Sequence, residues 1–206
     1  MTPTSPPRRS RAQKTRRQKT ESSHGVHVVV LLGGGIDSTV LLDTYNRAGS
    51  SITGLHYDYG QKALGGERRA LRKIAAYFAV PVRWRKLAIP IASRGDEYLG
   101  RNAIFVLAAA AEFGNQTLRI GLGLHDLSPF YDCTRHFVNS MQSLLDGYFG
   151  GRVVLDAPLL AMTKAEIVTY ARDRRVPLEA TFSCNRGPIR PCGICPSCLD
   201  RRALGV

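Results

Sequence analysis

No stretch of about 18 or more apolar residues occurs in this 206-residue chain, so no segment is long enough to span a bilayer as a helix. The first 24 residues lack the apolar run of a secretory signal, which predicts a cytoplasmic protein with no membrane partner. No internal repeat is evident, and the length is that of one compact domain. Histidine is scarce: His56, His125 and His136 show no metal-ligand spacing, so a histidine metal site is not expected. Acid is scarce too. Sixteen Asp and Glu stand against 29 Lys and Arg, a formal charge of +13.

That charge is uneven. Residues 1–24 hold Arg8, Arg9, Arg11, Lys14, Arg16, Arg17 and Lys19 against Glu21 alone, a local +6 that leaves +7 for the rest. A Pro/Ser/Thr-rich start without apolar periodicity cannot bury enough surface to offset chain entropy, so it is expected to be a disordered basic tail. Two readings stay open for it, a solvated tail or an arm that touches nucleic acid.

From Gly25 onward the pattern changes. VHVVVLL at 26–32 is β-branched and nearly all apolar, as in a central strand of a parallel sheet covered on both faces. Strand-like runs follow at 52–57, 82–87, 118–122 and 153–155, and helical spacing appears near 38–47, 66–78, 102–113, 134–148 and 164–174. Strict alternation predicts a doubly wound α/β sheet with right-handed crossovers over 25–180. Residues 94–100 read as a loop, and 183–198, with Pro188, Pro191 and Pro196, as irregular structure needing outside support.

The segment Leu32-Gly33-Gly34-Gly35-Ile36-Asp37-Ser38-Thr39 joins the first strand to the first helix, where open α/β sheets bind ligands. Glycines let the backbone approach oxyanions, and a helix start adds unpaired N–H groups, so the segment is an anion cradle. It has no Lys before Ser/Thr, which excludes a Walker-type loop. A dinucleotide fingerprint would use Gly33 and Gly35 with Asp58 on a ribose, although Ser38 fills the third glycine position.

Four of the five cysteines fall near the end, as Cys184-x7-Cys192-x2-Cys195-x2-Cys198. Four thiolates in a cytosolic chain suit one tetrahedral structural Zn2+, which would order the proline-rich segment 181–206; an iron–sulfur cluster takes the same ligands. Cys133 reads as an ordinary buried thiol.

The loop GGGIDS resembles the SGGxDS loop of PP-loop ATP pyrophosphatases, with Gly34, Gly35, Asp37 and Ser38 in matching places and Gly33 in place of the usual Ser. Further ordered segments resemble the 7-cyano-7-deazaguanine synthase family. These are Asp58-Tyr59-Gly60-Gln61, Gly100-Arg101-Asn102, Asp132-Cys133, Pro158-Leu159 with Lys164, and the cysteine spacing with Gly193.

The resemblance implies a Rossmann-like, adenine nucleotide alpha hydrolase-like fold. It also implies a ligase that turns 7-carboxy-7-deazaguanine and ammonia into a nitrile by way of an adenylate, with ATP as co-substrate, Mg2+ and a homodimeric state. On that basis Leu32, Gly33, Gly34, Gly35, Ile36, Asp37, Ser38, Thr39, Val40, Leu41, Leu42 and Tyr57 are expected at ATP. Asp37, Ser38, Arg101, Asn102 and Lys164 are expected at phosphate or the reacting carboxylate, and Asp126, Phe130 and Asp132 at the base. The chain departs from the family at Leu124, where a Glu is usual, at Phe130-Tyr131, and in the shortened stretch 88–99. Two other readings accompany this one: another adenylating enzyme that modifies tRNA or a protein, and a zinc-stabilised nucleic-acid-binding module with a decayed ATP site.

Overall fold

The computed structural model of the chain describes residues 26–95, 97–126 and 128–206. The basic tail read at 1–24 lies outside them. In chain order the elements are β1 (His27–Leu31), α1 (Ile36–Arg47), β2 (Ile52–Asp58), α2 (Leu64–Phe78), β3 (Val82–Lys86), β4 (Ser93–Arg94) and β5 (Glu97–Tyr98). They continue with α3 (Arg101–Phe113), β6 (Leu118–Gly121), α4 (Arg135–Phe149), β7 (Val153–Asp156), α5 (Lys164–Asp173) and α6 (Pro196–Ala203).

Five strands form one parallel sheet in the order β3-β2-β1-β6-β7. β1 is central, and its side chains alternate between two cores, which explains its unbroken apolar run. Val28, Val30 and Leu32 pack beneath α1, α2 and α5. Val29 and Leu31 pack beneath α3 and α4. The edge strands carry less apolar surface for the same reason. β3 exposes Arg83, Trp84, Arg85 and Lys86, and Arg83 and Arg85 both grip Glu112, at 3.2 and 2.6 Å.

Two segments differ from their reading as irregular. Within 94–100 runs part of a small antiparallel hairpin that pairs Ser93 with Tyr98 and Arg94 with Glu97. Proline density suggested no regular structure at 183–198, yet α6 starts inside that stretch. Pro196 is its first residue, where a missing N–H costs nothing and φ is already helical.

Candidate active site

β1 ends where the sheet's sequence order reverses, with β2 and β3 on one side and β6 and β7 on the other. This switch point opens a crevice at the carboxyl ends of the strands. A cleft of about 350 Å3 lies there, floored by Leu32, Gly33, Gly35, Asp37 and Ser38.

The glycine loop is shaped by packing as much as by freedom. Gly34 has φ +77°, and a Cβ there would stand 3.1 Å from Glu67 O and 3.3 Å from Ala70 Cβ. Gly35 caps α1 without a side-chain hydrogen bond, so no cap competes for the first-turn N–H groups. A second glycine, after β6, is equally constrained: a Cβ on Gly123 would meet Ser38 N at 2.9 Å and Asp37 C at 3.1 Å. No motif marks Gly123, because the need for it arises only when β6 meets the start of α1.

Gly33 is the opposite case, with nothing within 4 Å of a Cβ. Gly33→Ser is therefore expected to leave the melting temperature unchanged within about 0.5 kcal/mol of stability, while its hydroxyl tightens ATP binding. Gly123→Ala should cost about 1–3 kcal/mol and weaken ATP binding. Thermal melts and calorimetry on the two variants check both outcomes.

Lys164 opens α5, where the helix dipole disfavours a cation. Thr163 and Glu166 fix that helix start through a reciprocal capping box. The Lys164 ammonium lies 2.5 Å from both oxygens of Asp37, in the first turn of α1. The pair sits half-buried at the cleft floor and aims a cation at the anion cradle.

On the far wall Arg101 reaches Tyr59 Oη at 3.4 Å. Tyr57 stacks on Phe105 with centroids 4.8 Å apart. Asn102 is buried and acts as a clamp: its N–H donates to Asp132 Oδ2 and its amide to Asp132 O, both at 3.2 Å. Phe130 and Asp132 line the cleft, as does Leu124, which is only 4% exposed.

Several of the residues named for ligand contact do not line the cleft. Val40, Leu41 and Leu42 are fully buried in the core, and Thr39 turns its hydroxyl to Gly35 O at 2.7 Å; these four carry the loop's helix and do not line the cleft. Asp126 lies outside the cleft lining, its N–H donating to Met162 O. Asp58 is occupied by Arg68 and the Gly60 N–H and does not reach the cleft, which removes the dinucleotide alternative.

The structure adds residues that no motif marked. His56 and Glu67 line the cleft, as do Ser183, Asn185 and Arg201 from the cysteine segment. Among the described residues the buried side-chain atoms without a partner are His56 Nε2, Tyr57 Oη and Arg101 Nε, all on cleft-lining residues.

Glu67 is pushed up to about 7 by burial, against the opposing pull of the Gln61 hydrogen bond and the Arg101 charge. It binds its proton more tightly folded than unfolded, where it titrates near 4.5. Stability therefore falls as pH rises from about 4.5 to about 7, by about 3 kcal/mol in all. Glu67→Gln is expected to remove this slope, so the variant's melting temperature should gain on the parent's across that window.

The four sulfurs of Cys184, Cys192, Cys195 and Cys198 all lie within 4.8 Å of one another, and all four thiols are free. Backbone N–H groups of Arg186, Gly187 and Cys192 point at Cys184 Sγ, at 3.4, 3.0 and 3.3 Å. Backbone N–H groups of Ile194 and Cys195 hold the Cys192 thiol down at about 6, which favours the thiolate. The set is able to hold a metal ion.

A family model described as "Queuosine biosynthesis protein QueC" matches residues 27–95 and 96–204. The chain belongs to the QueC family. The "7-cyano-7-deazaguanine synthase" of Sulfurihydrogenibium sp. (strain YO3AOP1) is 31% identical, over 85% of this chain and 92% of its own. The like-named protein of Synechococcus sp. (strain CC9605) is also 31% identical, over 85% and 90%. Among solved structures, a 4-thiouridine synthetase in complex with RNA and with bound ATP superposes with a TM-score of 0.50 at 21% identity. It spans 86% of this chain and 49% of that one, and it bears on the fold alone. No helix among the described residues is long and apolar enough to cross a membrane.

Proposed function

We propose that the protein is an ATP-dependent carbon–nitrogen ligase that converts 7-carboxy-7-deazaguanine and ammonia into 7-cyano-7-deazaguanine through adenylated intermediates. The observation that carries this is the Asp37–Lys164 pair at the mouth of an anion cradle, in a member of the QueC family. A carboxylate is a poor electrophile until one oxygen joins a leaving group. Attack of that oxygen on the α-phosphate of ATP expels pyrophosphate, and the charge gathers where the N–H groups of Gly33–Ser38 and the Lys164 ammonium converge. Arg101 has an unpartnered buried nitrogen and lies on the opposite wall, in position to hold the carboxylate during attack. Asp132, held by Asn102, offers an acceptor to the N–H edge of the base, and Phe130 a surface beside it. Mg2+ supplies charge neutralisation on the phosphates when bound.

The cysteine set fits structural Zn2+. Zinc–sulfur bonds of about 2.3 Å in a tetrahedron put sulfurs about 3.8 Å apart, close to the 4.0 Å between Cys184 and Cys195. Thiolates on the separate irons of a cubane cluster stand further apart.

Leu124 favours keeping a second reading, an adenylating enzyme with another substrate, because its apolar side chain offers no hydrogen bond to a base edge. The nucleic-acid-binding reading draws on the basic tail, outside the described residues. Release of AMP and pyrophosphate on adding 7-carboxy-7-deazaguanine and ammonia tests the first reading. Release with a different acceptor only would favour the second, and no substrate-dependent AMP rejects both.

A further inference from the structure

Behind the glycine loop, two hydrogen-bond acceptors, His56 Nε2 and Glu67 Oε2, stand side by side. His56 Nδ1 lies 2.8 Å from Leu32 O. A carbonyl only accepts, so Nδ1 carries the ring proton and Nε2 of the neutral ring is a bare lone pair. Burial holds the ring neutral by lowering its proton affinity. That lone pair has no partner and stands 3.8 Å from Glu67 Oε2, beyond direct hydrogen-bond range.

The carboxylate is locked in place. Gln61 is buried, its amide donating to Glu67 Oε2 at 2.6 Å and to Tyr57 O at 3.0 Å while its oxygen accepts from Tyr59 N. Gln61 therefore has no N–H left for His56. Above about pH 7, where Glu67 is ionised, the two are fixed acceptors with no donor between them and call for a small guest bearing several N–H or O–H groups, and the carboxylate charge favours a cation over water. Arg101 and Asp58 are the other charges acting on Glu67, with opposite signs.

We propose that His56 Nε2 and the Glu67 carboxylate bind the ammonium ion that supplies the new nitrogen, and that they accept its surplus protons. This rests on the reaction proposed above. Ammonium gives one proton to Glu67 and becomes ammonia. Its lone pair forms the C–N bond as the bond from the acyl carbon to the AMP oxygen breaks. The nitrogen's second surplus proton passes to His56 Nε2, leaving a neutral amide and AMP as its dianion. Two protons leave the nitrogen, and two acceptors face it.

Pyrophosphate exchange into ATP needs the carboxylate substrate but no ammonia, so it serves as the internal reference in full-length protein. Glu67→Gln is expected to lower amide formation per exchange event by about 100-fold and to raise the ammonium concentration at half-saturation. Hydroxylamine is uncharged at neutral pH and brings one proton fewer, so it should restore acyl transfer in the variant as the hydroxamate. Unchanged ammonium saturation, or an equal loss with both nucleophiles, overturns the inference. Methylammonium should compete with ammonium but not with ATP in the unmodified protein, and lack of such competition overturns it even where the variant does not fold. If the unmodified protein shows no substrate-dependent exchange, the reaction itself is rejected, and this inference with it.

Discussion

Asp37→Asn is expected to cut AMP release by at least about 100-fold, the scale on which loss of one preorganised charge contact acts, while ATP still binds. A carboxylate beside a phosphate cradle would by itself repel the ligand. It is tolerated because both its oxygens hold the Lys164 ammonium at 2.5 Å. Asparagine is nearly isosteric but neutral, so Lys164 loses its anchor and the cation no longer stands where pyrophosphate charge develops. Removing a negative charge should not weaken the ground-state complex, so the effect falls on turnover. Calorimetry with an unreactive ATP analogue, run beside an AMP-release assay, separates the two. Equal loss of binding and turnover would make Asp37 a structural residue only. Turnover at the parent rate would remove the pair from the mechanism. In a nucleic-acid-binding module with a decayed site, the substitution should leave RNA affinity unchanged.

Stripping the metal from the cysteine set is expected to unfold the segment around 184–204 and lower the melting temperature sharply. Structural zinc contributes about 10–16 kcal/mol in small zinc domains, against a net stability of about 5–15 kcal/mol for a whole domain. Cys195 is fully buried, and α6 starts from it, so Cys195→Ser should act like the chelator. The damage should reach the nucleotide. Phe182 N donates to Gly34 O at 2.8 Å, and Gly66 N to Pro188 O at 2.7 Å, so the segment braces the glycine loop and the start of α2. Its residues Ser183, Asn185 and Arg201 also form one cleft wall. ATP affinity is therefore expected to drop at least about tenfold on chelation, a loss of about 1.4 kcal/mol, and to return with zinc. Metal analysis giving one ion per chain, limited proteolysis within 184–204 and ATP titration check this. Unchanged proteolysis and ATP affinity after complete metal loss would reject the coupling.

Much of this architecture is legible in the sequence. β1 reads as a central strand because seven nearly apolar residues in a row suit only a strand buried on both faces, and both cores claim its side chains. The glycine loop and the cysteine spacing are equally local: a short stretch of chain carries the whole signal. Where local rules failed, a neighbour distant in sequence decided. Leu41 and Leu42 belong to the motif's helix but are fully buried, because α1 is packed between the sheet and the neighbouring helices α2 and α5. Pro196 looked like a breaker, yet at the first helical position it starts α6.

The sequence by itself determined the strand–helix alternation, the anion cradle at the end of β1 and a four-thiolate set, since each follows from periodicity or spacing within about 20 residues. Tertiary structure alone decided which side chains meet. Strand order and the angle of α5 bring Lys164 to Asp37 across 127 residues of chain. β2 and α2 set His56 against Glu67, the fold leaves Asp126 outside the cleft, and the cysteine segment becomes its wall. The reason is physical: periodicity encodes which face of an element is buried, but not which element will cover it.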